Sequence, residues 1–515
     1  MSQQLTPFSI SAPGFYGLNT SNSPVDLSAN FALTAINCVI DKAGRIASRM
    51  GWVAQNSVHA DLSTSDVTCI GECIDNEGTS TLLCTGGAFL FKVSGGALTK
   101  LTYGGGGVAP TISDANWKFC QLNGVAMFWQ RGYDPLIYDP AISTTTFRRL
   151  NEKAGTAGTV RQANEAISAF GRVWCADLTT DKNTVYFSDL LSPHVYTGGS
   201  SGSLDLIGIW PKGGDEIVAL AAHNNFLYIF GKFQILIYSG ATTPSTMVLQ
   251  DTILGVGCIA RDSVQNTGED IVFLANDGVR SLQRTIQEKS APLRLVSQNV
   301  NRDVLDYVAA AAAGTVRAIY SPANTFYVLS FPTSSIAYCF DMKVPLENGA
   351  SRATTWNNLI PKAQCSTKDG SLYFGFAGYV GKYSGYIDRT STYRMSYYTT
   401  WIDFAPEVLI SILKKILVTL KGLSGQSVIL KWGYDYIQNY FSETTPLSTL
   451  GASAEYGIAE FGIAEFQSGL GGIQQVKVNG SGSGKVIQFG FEADINNAQV
   501  SIQRIDLYAK TGRLQ

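Results

Sequence analysis

Charge of either sign is scarce in this sequence. Only 15% of its 515 residues are Asp, Glu, Lys or Arg, and 38 basic residues against 40 acidic ones leave a formal net charge of -2. A protein built to grip nucleic acid through its phosphates carries a basic stripe or a strongly positive domain. The balance excludes that class, and pairs such as Arg148-Arg149 and Lys414-Lys415 read as solvated faces. Histidine is scarcer still: His59, His194 and His223 are all there is, which leaves few general bases and few imidazole metal ligands. No apolar run reaches the roughly 20 residues of a membrane-spanning helix. The greasiest stretch, Val408 to Leu420, is interrupted by Lys414 and Lys415. A charged segment followed by an apolar core is missing near Met1, so synthesis in a cytosol is expected. The nine cysteines, an odd number scattered from Cys38 to Cys365, are then expected as reduced thiols. Long apolar periods of 3.6 residues are nearly lacking as well, which excludes coiled coils and helical repeat arrays.

What the chain does have is the material of short strands and tight turns. Hydrophobic residues make up 45%, with 52 glycines, 24 tyrosines and 25 phenylalanines, a composition suited to pleated, half-buried surfaces joined by turns. A unit recurs: an apolar strand, a polar turn, a strand rich in aromatic and β-branched residues, another turn, then a short third strand. The clearest copy runs from Trp117 to Leu122, through Asn123-Gly124, into Val125 to Trp129, then past Arg131-Gly132 to Leu136–Asp139. Asn-Gly is the dipeptide that a two-residue hairpin turn prefers, because both central residues need positive φ. A second copy runs from Ile217 through His223-Asn224-Asn225, Phe226 to Phe230 and Gly231-Lys232 to Ile235–Tyr238. Looser copies centre on Asn76-Glu77-Gly78, Gly171-Arg172, Thr267-Gly268-Glu269, Pro322-Ala323-Asn324 and Lys368-Asp369-Gly370. A spacing of roughly 45 to 55 residues is that of propeller blades. One small twisted sheet buries little alone, whereas a ring of them packs face to face and leaves only short, protected edges. The expected fold is therefore all-β: a β-propeller of six or seven blades over 61–400.

The flanks differ from the repeat. An extended leader with a hairpin about Asp41-Lys42-Ala43-Gly44 occupies 1–60. One helix is expected from Arg302 to Ala313, stopping at Gly314, as a connector between blades. Longer alternating runs at Val428 to Trp432, Gln474 to Val478, Val486 to Phe491 and Val500 to Tyr508 predict a β-sandwich-like domain over 401–515. Within it, Gly-Ile-Ala-Glu-Phe occurs at Gly457 to Phe461 and again at Gly462 to Phe466, which reads as a protruding loop near 451–470. The run Leu409, Ile412, Leu413, Ile416, Leu417, Leu420 fits a helical stripe as well as a strand, so periodicity leaves that segment open.

Reactive constellations are thin. Gly198-Gly199-Ser200-Ser201-Gly202 has the letters of a serine-nucleophile elbow, but that elbow must lead into a helix, and Ser203 to Ile207 reads as extended chain. Asn479 to Lys485 lacks the glycine and the Ser or Thr of a phosphate-binding loop. Cys69 and Cys73 fall on one strand face some ~13 Å apart at ~3.3 Å per residue, too far to share a zinc. Tyr393, Tyr397, Tyr398 and Trp401 form an aromatic cluster expected at a contact between domains. No catalytic residue, metal ligand or cofactor is assigned, and an enzyme is not expected.

Two stretches at opposite ends of the chain carry a resemblance. Pro13-Gly14-Phe15-Tyr16-Gly17-Leu18-Asn19, Ser23-Pro24-Val25-Asp26-Leu27, Asn37-Cys38-Val39-Ile40-Asp41, Gly44-Arg45-Ile46 and Arg49-Met50-Gly51-Trp52 resemble the start of tail nozzle, or tail tubular, proteins of short-tailed bacteriophages. Val500 to Tyr508 with Thr511-Gly512-Arg513 resembles their end. The resemblance implies a structural virion protein of the phage tail, made in the bacterial host cytoplasm, whose copies form a hexameric ring. That ring would contact the tail adaptor, and tail fibres or tailspikes, and would extend and gate the DNA-ejection channel, with loops as the gate. DNA would pass without specific binding, which suits the near-neutral charge, since each phosphate contact adds salt-dependent affinity. The alternatives are a host receptor- or glycan-binding tail protein that meets the cell surface, a propeller glycosidase, and a cellular propeller scaffold.

Overall fold

The computed structural model describes residues 5–282, 293–312, 314–404, 409–422, 426–447 and 473–511. Its architecture follows from the hairpins. Lys118–Leu122 and Val125–Trp129 pair antiparallel in register from Leu122↔Val125 to Lys118↔Trp129. The turn between them is made by Asn123 at φ 51° and Gly124 at φ 74°, the left-handed pair that matches the twist of the flanking strands. Asn224 and Asn225 do the same at φ 47° and 64°. Each of the seven turns picked out in the sequence lies between the innermost, or first, strand of a blade and the second: six in four- or five-stranded sheets, and Pro322-Ala323-Asn324 in a blade that belongs to an eleven-stranded sheet.

These sheets are propeller blades. Blades 1 to 5 span 67–100, 102–149, 165–205, 217–254 and 265–295, and blade 7 spans 363–383 together with Trp52–Ala54. These six are self-contained sheets. The seventh unit, blade 6 at 317–356, completes the ring, but its sheet runs on beyond the propeller. The first strands touch in a closed circle, each on the next and Ala363–Ser366 back on Val67–Ile74. A separate apolar cluster fills each wedge between neighbouring blades; Trp117, Phe128 and Leu136 pack between blades 1 and 2, for example, and Phe230 and Phe273 between blades 4 and 5. Second strands are therefore covered on both faces. That is why Val125–Trp129, Arg172–Ala176, Ile271–Ala275 and Phe326–Phe331 are buried along their whole length and show no polar alternation. The helix Asn301–Ala310 links blades 5 and 6 and buries Val304 against them.

Beside the propeller stands a two-layer platform built from both chain ends. One layer joins Thr6–Ser11, Cys38–Ile40 and Ile46–Ser48 of the leader to Ser411–Gly422, Ile473–Asn479 and Val500–Thr511. The other joins Gly17–Leu18 and Phe31–Ile36 to Tyr393–Thr399, Val486–Ile495, Ser427–Tyr434 and Phe441–Pro446. A single core containing Phe15, Ile46, Met395, Ile416, Trp432 and Phe489 lies between the layers. Leader strands of two to six residues cannot bury a face alone, and here they do so against the C-terminal strands. The second layer is continuous with blade 6: Arg352–Trp356 pairs in parallel with both leader strands, so one sheet crosses from propeller to platform.

The segment that periodicity left open is a strand, Ser411–Gly422. A register shift between Leu413 and Lys415 inserts one residue and flips the alternation, so that Leu413 and Ile416 both face the core. A bulge thus imitates helical spacing. The repeated unit at Gly457 to Phe466 lies outside the described residues.

Candidate functional site

Ser200, the nucleophile of the elbow-like letters, sits in a loop that leads into the strand Gly202–Asp205. Its hydroxyl donates to Asp189 Oδ1 at 2.9 Å and accepts from Arg172 Nη2 at 2.7 Å. Asp189 also takes the Ser200 amide, and these bonds hold its carboxyl below the usual range. Ser200 is a pin for the loop. His59 Nδ1 accepts the Asp61 amide at 3.1 Å, and His223 ends a blade strand. His194 is buried beside Lys153, and burial first, then that charge, lowers its pKa. Cys69 and Cys73 are both buried in the wedge between blades 1 and 2, where burial pushes each thiol up to about 12. Among the described residues no His, Cys, Asp or Glu cluster has metal-holding geometry. The aromatic cluster splits. Tyr393 and Tyr397 are buried in the platform core, Tyr398 donates to Glu492, and Trp401 leans on Tyr436 with ring centroids 5.0 Å apart.

Two polar constellations escaped the sequence reading. The first joins propeller and platform. Arg49 is wholly buried, and its guanidinium forks onto Asp388, with Nη1 to Oδ1 at 2.8 Å and Nη2 to Oδ2 at 2.6 Å. Its Nε donates to Asn37 Oδ1 at 3.1 Å, Nη1 also donates to Met50 O at 2.9 Å, and the plane lies 4.0 Å from the Tyr393 ring centre. Tyr393 donates its hydroxyl to Arg49 O. Cys38 O accepts from Thr354 Oγ1 at 2.7 Å and Trp356 Nε1 at 3.0 Å, both on blade 6. Gly51 is required alongside, since a Cβ there would lie 1.9 Å from Ile387 O. One arginine inside an aromatic, glycine-containing stretch was the available signal.

The second constellation crosses the propeller axis. Arg261, in the turn before blade 5, donates to Asn164 O at 2.6 Å, Asn164 Oδ1 at 2.9 Å and Asp262 Oδ2 at 2.9 Å. It thereby braces blade 5 against blade 3. Asp262 also meets Arg317 at 3.4 Å and Lys118 at 3.9 Å, and accepts from Asn116. These cations hold its carboxyl far below the usual range despite burial. Glu165 is wholly buried with Lys118 Nζ at 3.3 Å and Arg261 Nε at 3.9 Å, yet neither of its oxygens accepts an aligned hydrogen bond. Burial, only partly offset by Lys118 and Arg261, raises its pKa to about 7. A cavity of about 290 Å³ lies on the axis beside this network, lined by Lys118, Asp262, Arg317 and Gln364 among others.

The Glu165 shift gives a pH dependence of known sign. A folded-state pKa of about 7 against 4.5 unfolded means the folded protein holds this proton more tightly. Its contribution is complete below the unfolded value and is lost as pH rises through about 7, on the order of 3 kcal/mol in all. Glu165→Gln should therefore flatten the fall in urea midpoint between pH 5 and pH 8. An unchanged slope in the variant would remove Glu165 as its source.

No protein-family model matches the chain, and no curated protein does. Solved structures do. The WD40 domain of Neurospora crassa Pan2 is similar at 12% identity over 67% of this chain and 98% of that one, with a TM-score of 0.38. The WD40 β-propeller domain of Doa1 is similar at 9% identity over 64% and 96%, also with a TM-score of 0.38. The extracellular domain of the one-component system BT4673 from B. thetaiotaomicron is similar at 10% identity over 66% of this chain, with a TM-score of 0.30. Of that last domain's own length the chain spans 40%. The class of protein is a β-propeller, and that assignment stands on the strand order and the closed circle of first strands described above.

Proposed function

We propose that this chain is a structural protein of a short-tailed phage virion, whose copies assemble into a nozzle ring that extends the DNA-ejection channel. One observation carries the reading. The two stretches that resemble nozzle proteins, at opposite ends of the sequence, meet in one sheet: Ile46–Ser48, which begins in the Gly44-Arg45-Ile46 motif, pairs with Val500–Thr511 through Ile46↔Ile502 and Ala47↔Ser501, and Thr6–Ser11, just ahead of the first stretch, lies along the same strand. A pattern shared at two distant places is then a single structural unit, the platform. The continuous sheet and the buried Arg49–Asp388 pair make propeller and platform one stiff body, as suits a building block under mechanical load. The braced propeller axis supports a DNA path between subunits, along the ring axis, and not through any one propeller. Platform strands are the elements that would contact neighbouring copies and the adaptor.

The test is cryo-electron microscopy of intact particles. A sixfold ring of this chain on the tail axis is the expected result. Finding the chain on peripheral fibres would favour receptor binding instead, and its absence from particles would end the proposal.

A further inference from the structure

We propose that the cavity on the propeller axis is a binding site for a small oxyanion, held by Lys118 and Arg317. Its volume of about 290 Å³ lies just below the ~300 to 1,000 Å³ typical of ligand pockets, so a compact solute fits and a drug-sized one does not. Lys118, Arg317 and Asp262 line it, and the ion-pair network behind them adds Arg261 and Glu165, three cations against two carboxylates. That leaves an excess of positive charge where side chains are largely withdrawn from water: Arg261 is 8% exposed, Arg317 11% and Lys118 21%. An unmatched charge in such a place is costly, and a bound anion relieves it.

Hydrogen-bonding capacity singles out which groups remain for a ligand. Arg261 is occupied by Asn164, Asn116 and Asp262, and Asp262 is saturated by two arginines and Asn116. Arg317 commits Nε to Lys362 O at 3.1 Å and Nη1 to Gly314 O and Val316 O at 2.6 and 2.9 Å. Its Nη2 makes no hydrogen bond among the described residues. Lys118 Nζ has ion-pair distances to Glu165 and Asp262 but no aligned bond. Both residues line the cavity. Free donors on an ammonium and a guanidinium suit a carboxylate-, sulfate- or phosphate-type oxyanion, which accepts charge-assisted bonds from both. Such an anion is either a free solute or a phosphodiester of a nucleic-acid strand.

Isothermal titration of the full chain with sodium sulfate, sodium acetate and a short single-stranded oligonucleotide, each against sodium chloride at equal ionic strength, tests the site. Saturable binding of sulfate or acetate is expected, weakened about tenfold by Lys118→Met, the loss of one charge-assisted bond. Ser366→Leu, which fills the cavity without touching a charge, should abolish it. Oligonucleotide binding with the same dependence on both variants would assign the anion to a strand and still support the site. Heats that never saturate in the wild-type chain, or saturable binding that neither variant alters, would overturn it. Circular dichroism of both variants confirms that they fold, and the wild-type titration stands without them.

Discussion

Replacing Arg49 with methionine should lower unfolding stability by about 3 to 5 kcal/mol, the cost of leaving the partner of a buried ion pair uncompensated. The size follows from what loses a partner at once. Asp388, 9% exposed, would keep its charge with no fork to accept. Asn37 Oδ1 would keep only the Asn357 amide at 3.3 Å and Met50 O would lose its Arg49 donor, and an unsatisfied buried acceptor adds about 1 to 3 kcal/mol. The stacking on Tyr393 would lose its cation. Asp388→Leu should be similarly harmful. The double variant should recover a large part of the loss, because removing both charges removes the unpaired one. Because the pair sits where propeller and platform meet, the single variants should also split thermal unfolding into two transitions. Scanning calorimetry of the four proteins reads both effects; a single-variant loss below about 1 kcal/mol, the range of an exposed pair, would show that Arg49 is no bolt.

Deleting residues 1–54 should have a still larger effect, loss of the folded state. The deletion removes Trp52–Ala54, the strand that finishes blade 7 by pairing with Tyr379–Tyr383 and whose Trp52 ring stacks on Phe376 with centroids 4.2 Å apart. A propeller lacking that strand presents an open edge and an unfilled wedge, the condition closure exists to avoid. The same deletion takes three strands from one platform layer and, from the other, the two strands that tie blade 6 to Tyr393–Thr399. Soluble yield and protease resistance of the truncated chain measure this. Full resistance of 67–383 would show instead that the ring closes without its N-terminal strand. Adding a peptide of residues 1–56 should restore some resistance if closure is the cause.

Much of the fold was legible because the signals are local. Asn123-Gly124 and Asn224-Asn225 adopt left-handed turns for reasons contained in the turn residues themselves, and second strands rich in aromatic and β-branched residues mark the blades. The platform strands at Val486 and Val500 were legible by alternation. The site was far less so. Arg261 and Asp262 sit in a short 3-10 turn before a two-residue strand, where no period exists to read, and their partners Asn116, Glu165 and Arg317 come from three other blades. Arg49 and Asp388 lie more than 300 positions apart. The bulge after Leu413 shifted an otherwise plain strand pattern into a helical one.

By itself, then, the amino-acid order determined that the chain makes short antiparallel hairpins repeated around a ring, since turn dihedrals and side-chain periodicity are decided among near neighbours. Only the tertiary structure decided that the first strands after Thr6 belong beside the last ones, that Trp52–Ala54 closes blade 7, and that a charged brace crosses the axis. Those outcomes depend on which distant groups are brought together once seven sheets have packed: Ser9 hydrogen-bonds Asp506 because both strands seek cover for the same apolar layer, a competition among all surfaces of the molecule that no local pattern encodes.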